Sequence, residues 1–182
     1  MFASAPSRWL ACGSWHHFVQ VWDLDQRELV GEWVATPGDK DGKDQGVNAL
    51  VFCAGGSRLV TSGKVLRTFS VWESPSGRCV AQLDHPQIVN LLASYPEDGL
   101  FLAHDMGLNI DLWDVGSAKI VARAQTEPIK VPTVNVSTGE RGMEEILSPP
   151  GATSLAVSPD GRLIAAGAYG GSVYLYEVVR GS

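Results

Sequence analysis

The sequence predicts an all-β fold made of four copies of one four-stranded antiparallel unit. Four segments with the same alternating pattern recur along the 182 residues, and alternation at period 2 is typical of strands with one buried face. A strand of small and apolar residues precedes each of them. The 20 glycines and 10 prolines also favour a chain with many tight turns over one with long helices.

The third strand of each unit carries an aromatic residue, which we call the anchor. The four strands read VQVWDL at 19–24, FSVWES at 69–74, IDLWDV at 110–115 and VYLYEV at 173–178, with anchors Trp22, Trp72, Trp113 and Tyr176. The anchors are 50, 41 and 63 residues apart, which is close to a unit of ~40–45 residues once loops of variable length are allowed.

The second strand reads WLACG at 9–13, LVTSG at 59–63, FLAHD at 101–105 and LIAAG at 163–167. Its first residue is expected 13 positions before the anchor in three copies and 12 in the third copy. A turn and a first strand come before it, most clearly in ATSLAVSPDG at 152–161, and a fourth strand follows each of the first three anchors. The predicted unit is therefore a meander of four strands.

These repeats resemble the WD-repeat family of β-propellers. Trp22-Asp23 and Trp113-Asp114 match the pair that names the family, Trp72-Glu73 and Tyr176-Glu177 are near matches, and Ser158-Pro159-Asp160-Gly161 forms the typical turn. The resemblance implies four-stranded antiparallel blades around a central channel and a role in protein–protein interaction.

The family's polar signature is only partly present. Its Gly-His pair appears as Asp84-His85, and the turn aspartate expected six residues before each anchor is replaced by His16, Leu66, Gly107 and Gly170. A hydrogen-bonded tetrad of His, Ser/Thr, Asp and Trp is therefore not assumed, and apolar packing is expected to supply most of the stability of the blades.

The repeats predict one propeller segment over residues 1–182. Its expected parts are blade 1 at 1–35, blade 2 at 47–84, blade 3 at 88–126 and blade 4 at 152–180, with inserted loops at 36–46 and 127–151. Blade 1 is expected to have an incomplete first strand and blade 4 to lack its fourth. We expect either the C-terminal part of a larger propeller, from a truncated chain, or a half-propeller that a second copy or another subunit completes.

Composition excludes several classes of partner. The 14 Lys and Arg against 20 Asp and Glu give a net charge of −6, which argues against a nucleic-acid binder. No apolar run reaches the ~18 residues that span a membrane, and no secretory signal is visible. We expect Cys12, Cys53 and Cys79 to be reduced thiols of a cytoplasmic protein, with the nucleus as an alternative.

The predicted propeller brings both inserted loops to the same face as the turns between second and third strands. Aromatic, Met and charged side chains that converge on one surface are typical of a protein interface. We call this surface the candidate loop face, and its predicted partner-binding residues are Trp15, His16, His17, Lys64, Asp105, Met106 and Tyr169.

No catalytic, cofactor-binding or metal-ligating motif is recognised. Adjacent His16 and His17 would point to opposite sides of a strand, and Gly167, Gly170 and Gly171 are followed by no helix that could bind phosphate. A non-enzymatic scaffold that mediates protein–protein interaction in a larger assembly is therefore the main hypothesis. The alternatives are a propeller enzyme with a central-channel active site, which needs acids and histidines on first strands, and a phosphoinositide-binding propeller, whose Phe-Arg-Arg-Gly motif is missing.

Overall fold

The computed structural model describes residues 2–4, 8–35, 46–64, 67–97, 99–106, 109–124, 129–134, 141–146, 152–168 and 173–178. In this part of the chain no helix is long and apolar enough to cross a membrane. The strands, in chain order, are β1 (Phe2–Ser4), β2 (Trp9–Gly13), β3 (Phe18–Asp23), β4 (Glu28–Val34), β5 (Val47–Cys53), β6 (Arg58–Gly63), β7 (Thr68–Glu73), β8 (Arg78–Asp84), β9 (Val89–Ser94), β10 (Leu100–Asp105), β11 (Ile110–Asp114), β12 (Lys119–Ala124), β13 (Ile129–Val134), β14 (Arg141–Ile146), β15 (Ala152–Val157), β16 (Leu163–Ala168) and β17 (Val173–Glu177).

The strands form four antiparallel sheets in which neighbours in the chain are neighbours in space. Their orders are β1-β2-β3-β4 in blade 1, β5-β6-β7-β8 in blade 2, β9-β10-β11-β12 in blade 3 and β15-β16-β17 in blade 4. This all-β architecture confirms the predicted fold class. The described sheets do not close into a ring, so they form a partial propeller.

Each anchor lies opposite an apolar residue of the second strand. The cross-strand pairs are Leu10 with Trp22, Leu59 with Trp72, Phe101 with Trp113 and Ile164 with Tyr176. The second strands of blades 1 and 4 begin at Trp9 and Leu163 as predicted, but the residues equivalent to Leu59 are Leu10 and Ile164, so the predicted alignment between blades is shifted by one residue. The reason is that the turn between second and third strands is one residue longer in blade 2 than in the other blades.

The two faces of a blade have different roles. We call the face that carries the anchor the front face and the opposite one the back face. Ala11, Val19 and Val21 on the back face of blade 1 form one buried cluster with Leu59 and Trp72 on the front face of blade 2. Trp72 thus packs into the aliphatic back face of the preceding blade.

The same arrangement joins blade 2 to blade 3. Val71 and Phe69 on the back face of blade 2 are buried with Phe101 and Trp113. The rings of Phe69 and Trp113 meet edge to face at a centroid distance of 5.3 Å, and Phe69 meets Phe101 at 5.5 Å. Aromatic pairs of this kind contribute about 0.5–1.5 kcal/mol each beyond the burial of their surface.

Blades 3 and 4 are joined by a similar cluster and by one direct hydrogen bond. The hydroxyl of Tyr95 donates to the carbonyl oxygen of Gly161 at 2.5 Å. Gly161 has a φ of 69°, and a Cβ there would lie 2.9 Å from the Tyr95 hydroxyl oxygen, so the turn favours glycine over any residue with a side chain. A cavity of about 260 Å³ separates the outer parts of these blades, and its lining includes Leu112, Ala122 and Tyr176.

The segment 127–151, expected as an inserted loop, contains secondary structure. Strands β13 and β14 pair as an antiparallel hairpin from Ile129 opposite Ile146 to Val134 opposite Arg141. The prediction missed it because the segment has no anchor and lies outside the repeat pattern.

Trp113 is the aromatic residue whose truncation should cost most. Because Trp113 is buried and contacts rings on both sides of the interface, Trp113→Ala should lower the free energy of unfolding by about 3–5 kcal/mol. Trp15→Ala is the matched control, since Trp15 is exposed in a turn and its removal should lower the value by no more than about 1 kcal/mol. Urea denaturation measures both, and equal losses would contradict this account of the core.

Candidate functional site

Backbone hydrogen bonds align the turns of the candidate loop face. The amide of Lys64 donates to the carbonyl of Gly46 at 3.2 Å, and the amide of Met106 donates to the carbonyl of Ile88 at 2.9 Å. In blades 2 and 3 the turn between second and third strands is therefore tied to the residue that leads into the first strand. These bonds hold the turns at one edge of the sheets.

Trp15 and Lys64 meet on this edge although they belong to different blades. Trp15 is 68% exposed, and the Lys64 Nζ atom lies 4.5 Å from the centroid of the indole ring. A Cβ on Gly46 would lie 2.6 Å from Trp15 Cα, so the backbone of the Trp15 turn packs directly on a glycine. An exposed cation over an indole contributes about 0.5–1 kcal/mol, which favours one orientation of the ring.

The remaining predicted residues differ in accessibility. His16 and Met106 are exposed, whereas His17 is half-buried with a φ of 71° and accepts a hydrogen bond from the Ala35 amide through its carbonyl at 2.8 Å. Tyr169 lies outside the described residues, as do 36–45 and most of the connections around β13 and β14. The structure thus brings Trp15 and Lys64 into contact and places Met106 on the equivalent turn of blade 3.

Asp105 requires a correction, because it is not accessible on this face. It is buried, and its carboxylate accepts hydrogen bonds from the backbone amide of Asn109 at 2.9 Å and from the Asn109 side-chain amide at 3.0 Å. Asp105 ends β10 on the front face of blade 3, which lies against blade 2. Its carboxylate stabilises the turn and is unavailable to a partner.

A buried polar network that the sequence analysis missed lies between blades 2 and 3. His85, in the connection from β8 to β9, places Nε2 3.1 Å from Oδ2 of Asp111 on β11. Arg123 on β12 donates to the same carboxylate through Nε at 2.6 Å and Nη2 at 2.8 Å. Two features of the sequence could have indicated this network. They are the partial Gly-His match at Asp84-His85 and the aspartate two residues before the Trp113 anchor.

The electrostatics of this network favour its charged form. Burial opposes ionisation of Asp111, yet the bonds from Arg123 and His85 outweigh it and lower the pKa of the carboxyl group. Burial likewise opposes protonation of His85, but its bonds to Asp111 and to the Gln87 carbonyl raise the pKa of the imidazole. Asp111 therefore forms an ion pair with Arg123, and it ties the interblade connection to blade 3 through His85, as a second ion pair whenever the imidazole is protonated.

The donor set also resembles a metal site, but its atoms are already engaged. Ligand atoms of His85, Asp105 and Asp111 lie within 4.8 Å of one another, and all three residues are buried. Arg123 occupies both oxygens of Asp111, and Asn109 occupies those of Asp105. A cation would have to displace these donors, so the arrangement suits a structural ion-pair network better than a metal centre.

His104, the neighbour of Asp105 on β10, faces the other side of the sheet. It is buried, and neither ring nitrogen has a hydrogen-bond partner in the part of the chain that the structure describes. Burial lowers the pKa of His104 and outweighs the opposing charge of Asp105. The neutral imidazole is therefore the form that the fold favours.

Comparison with known families supports this architecture. Residues 147–177 match the family model described as WD domain, G-beta repeat, and the match includes all three strands of blade 4. Together, this match and the antiparallel sheets of blades 1 to 3 fit a WD-repeat propeller-like family. WD-repeat domains are generally non-enzymatic scaffolds for protein–protein interaction, and the expected family resemblance is confirmed at that level.

The two buried histidines, His85 and His104, should respond to pH in opposite directions. Because the pKa of His85 is raised, its contribution to stability is complete below the ordinary value near ~6.5 and is lost as the pH rises through the folded-state value. Because the pKa of His104 is lowered, its contribution is present above ~6.5 and is lost as the pH falls through the folded-state value.

We expect His85→Gln to lose most stability relative to the wild type near pH 6 and progressively less toward pH 8, because the variant cannot bind the proton. The wild-type advantage over His104→Gln should instead shrink toward acidic pH. Urea unfolding across this range measures both differences. Asp105, Asp111 and Arg123, the charged groups near His85, are unchanged in both variants, and the same pH trend in both would contradict the opposed titration.

Proposed function

We propose that this chain is a non-enzymatic cytoplasmic scaffold that binds a protein partner through the candidate loop face, within a larger assembly. The observation that carries the proposal is the exposed Trp15 ring beneath the ammonium of Lys64. An indole this exposed to water is unfavourable in a free protein, whereas Trp is among the residues enriched in the anchors of protein interfaces.

The geometry around Trp15 suits a binding role. Its backbone packs on Gly46, and the Lys64 turn beside it is hydrogen-bonded to the same glycine. Binding therefore requires little additional ordering of the backbone, and ordering cost is a main reason why buried area fails to become affinity. The exposed thioether of Met106 adds an adaptable apolar contact on the next turn.

The same geometry indicates the chemistry of the partner. An apolar side chain can pack on the exposed part of the Trp15 ring while a carboxylate pairs with the Lys64 ammonium that lies over the ring. We therefore propose a protein segment that presents an apolar residue next to an acidic one. The Lys64 charge then gains a partner instead of being desolvated alone.

Catalysis in the channel has less support. The first strands of blades 2, 3 and 4 read VNALVFC, VNLLAS and ATSLAV, with no acid or histidine that could act as a general acid or base. The buried His85, Asp111 and Arg123 are bonded to each other between blades. A phosphoinositide-binding role would need a basic motif that the sequence does not contain.

Site-specific photo-crosslinking tests the proposed face. A photo-crosslinking amino acid at position 15 of the full chain, expressed in the source cells, should form a covalent adduct with one partner protein. The same amino acid at Leu24 is the control, because Leu24 is exposed in the turn at the opposite end of β3. Adducts formed only from position 24 would show that the wrong face was chosen.

The affinity for the partner identified in this way then measures how much Trp15 contributes to binding. Trp15→Ala should weaken binding at least tenfold, or about 1.4 kcal/mol, because the ring is the proposed anchor. Leu24→Ala should leave the dissociation constant within twofold. Titration calorimetry measures both, and equal affinities for the two variants would contradict the role of Trp15.

A further inference from the structure

The back face of blade 4 is apolar and uncovered. Val173 and Leu175 on β17 are each 69% exposed, and Leu163 on β16 is exposed beside them. Residues that alternate with these three, including Ile164 and Tyr176, face blade 3 and belong to the buried cluster there. Two neighbouring strands thus present a strip of aliphatic side chains to solvent.

This strip matches the back face of blade 1 position by position. The cross-strand pairs Ala11 with Val21 and Gly13 with Val19 in blade 1 correspond to Ala165 with Leu175 and Gly167 with Val173 in blade 4. In blade 1 the two valines and the alanine are fully buried, because blade 2 covers them. The same pattern of two small and two branched residues is therefore built to receive a blade.

Blade 2 shows what kind of surface this pattern accepts. Trp72 and Leu59 enter the back face of blade 1, and the glycine allows close approach, since a Cβ on Gly13 would lie 2.7 Å from side-chain carbons of both Leu50 and Val47. The surface that fits this back face thus has three features, which are an anchor, its cross-strand partner and an aliphatic first strand. A peptide of arbitrary sequence does not supply all three.

The front face of blade 1 offers the anchor and its cross-strand partner, two of these three features, and is itself uncovered. Trp22 and its partner Leu10 are only half-buried, and Phe18 is exposed. A depression of about 440 Å³ beside them is lined by residues that include Cys12, Phe18, Gln20 and Glu32. The side chains of Gln20 and Glu32 are hydrogen-bonded across β3 and β4, at the positions that Asp111 and Arg123 occupy in blade 3. The front face of blade 1 therefore has a polar pair at the same place as the front face of blade 3, which is covered by blade 2.

We propose that the back face of blade 4 in one copy packs on the front face of blade 1 in a second copy, so that two copies close head to tail into an eight-bladed ring. The two end faces differ from each other and complement each other, as the paired faces do at the three interfaces inside the chain. A two-fold axis along the channel covers both end faces of both copies and leaves no open end. Eight blades also lie within the ~4–8 found in closed propellers.

The mass of the full chain in solution tests the assembly. Light scattering during gel filtration at micromolar concentration should give twice the mass of one chain for the wild type. Leu175→Arg should shift the protein to the mass of one chain with its far-UV circular dichroism unchanged, because the side chain is exposed within a single copy. Val121→Arg, at an exposed aliphatic position on the outer strand of blade 3, is the matched control and should keep the double mass.

A second variant tests the head-to-tail geometry. Phe18→Arg alters the front face of blade 1 and should also give the mass of one chain, whereas pairing between two copies of blade 4 would leave this variant as a double-mass species. A wild type of single mass, a species larger than two copies, or a double mass retained by either Leu175→Arg or Phe18→Arg overturns the proposal. Neither residue belongs to the candidate loop face, so this test does not depend on the proposed function.

Discussion

The structure depends on one repeated contact, in which the aromatic anchor of each blade packs into the aliphatic back face of the blade before it. Trp72, Trp113 and Tyr176 make this contact at the three interfaces of the chain. Since burial of apolar surface contributes roughly 25 cal/mol per Å², a large aromatic ring set against branched side chains gives each interface its main stabilisation. A single sheet with one face exposed would not gain this term, so the blades are stable only as a series.

Polar groups refine this apolar arrangement without replacing it. Trp72 donates its indole N–H to Thr61 at 2.9 Å, whereas the N–H of Trp113 has no acceptor in the described part of the chain. In blade 3 the hydrogen-bonding role falls instead to Asp111, which binds His85 and Arg123. The blades therefore share a packing scheme, but they do not share a hydrogen-bonded tetrad of His, Ser/Thr, Asp and Trp. In blade 3 the aspartate that binds the histidine is Asp111, which lies on a strand and not in a turn.

Much of the fold could be predicted because the anchors and their alternating neighbours recur, and both signals arise from local strand geometry. The register between second and third strands was harder to predict. Leu10 pairs with Trp22 and Ile164 with Tyr176, each 12 positions apart, whereas the equivalent pair of blade 2 is 13 apart, and only this comparison shows that the blade 2 turn has an extra residue. The network of His85 and Arg123 joins residues 38 positions apart, and no local pattern encodes that proximity. Turn sequence likewise could not distinguish buried Asp105 from exposed Met106, since the direction of a turn side chain depends on the neighbouring blade.

The bond from Tyr95 to Gly161 has a mechanical consequence. It fixes one point on the rim between blades 3 and 4, while the void lined by Ala122 and Tyr176 leaves their outer parts unfilled. A fixed point beside an empty volume is the geometry of a hinge, because rotation of one sheet about that point changes the volume of the void without breaking the bond. Within the described residues, the outer side of this interface thus offers little packing to oppose a change in the angle between the last two sheets.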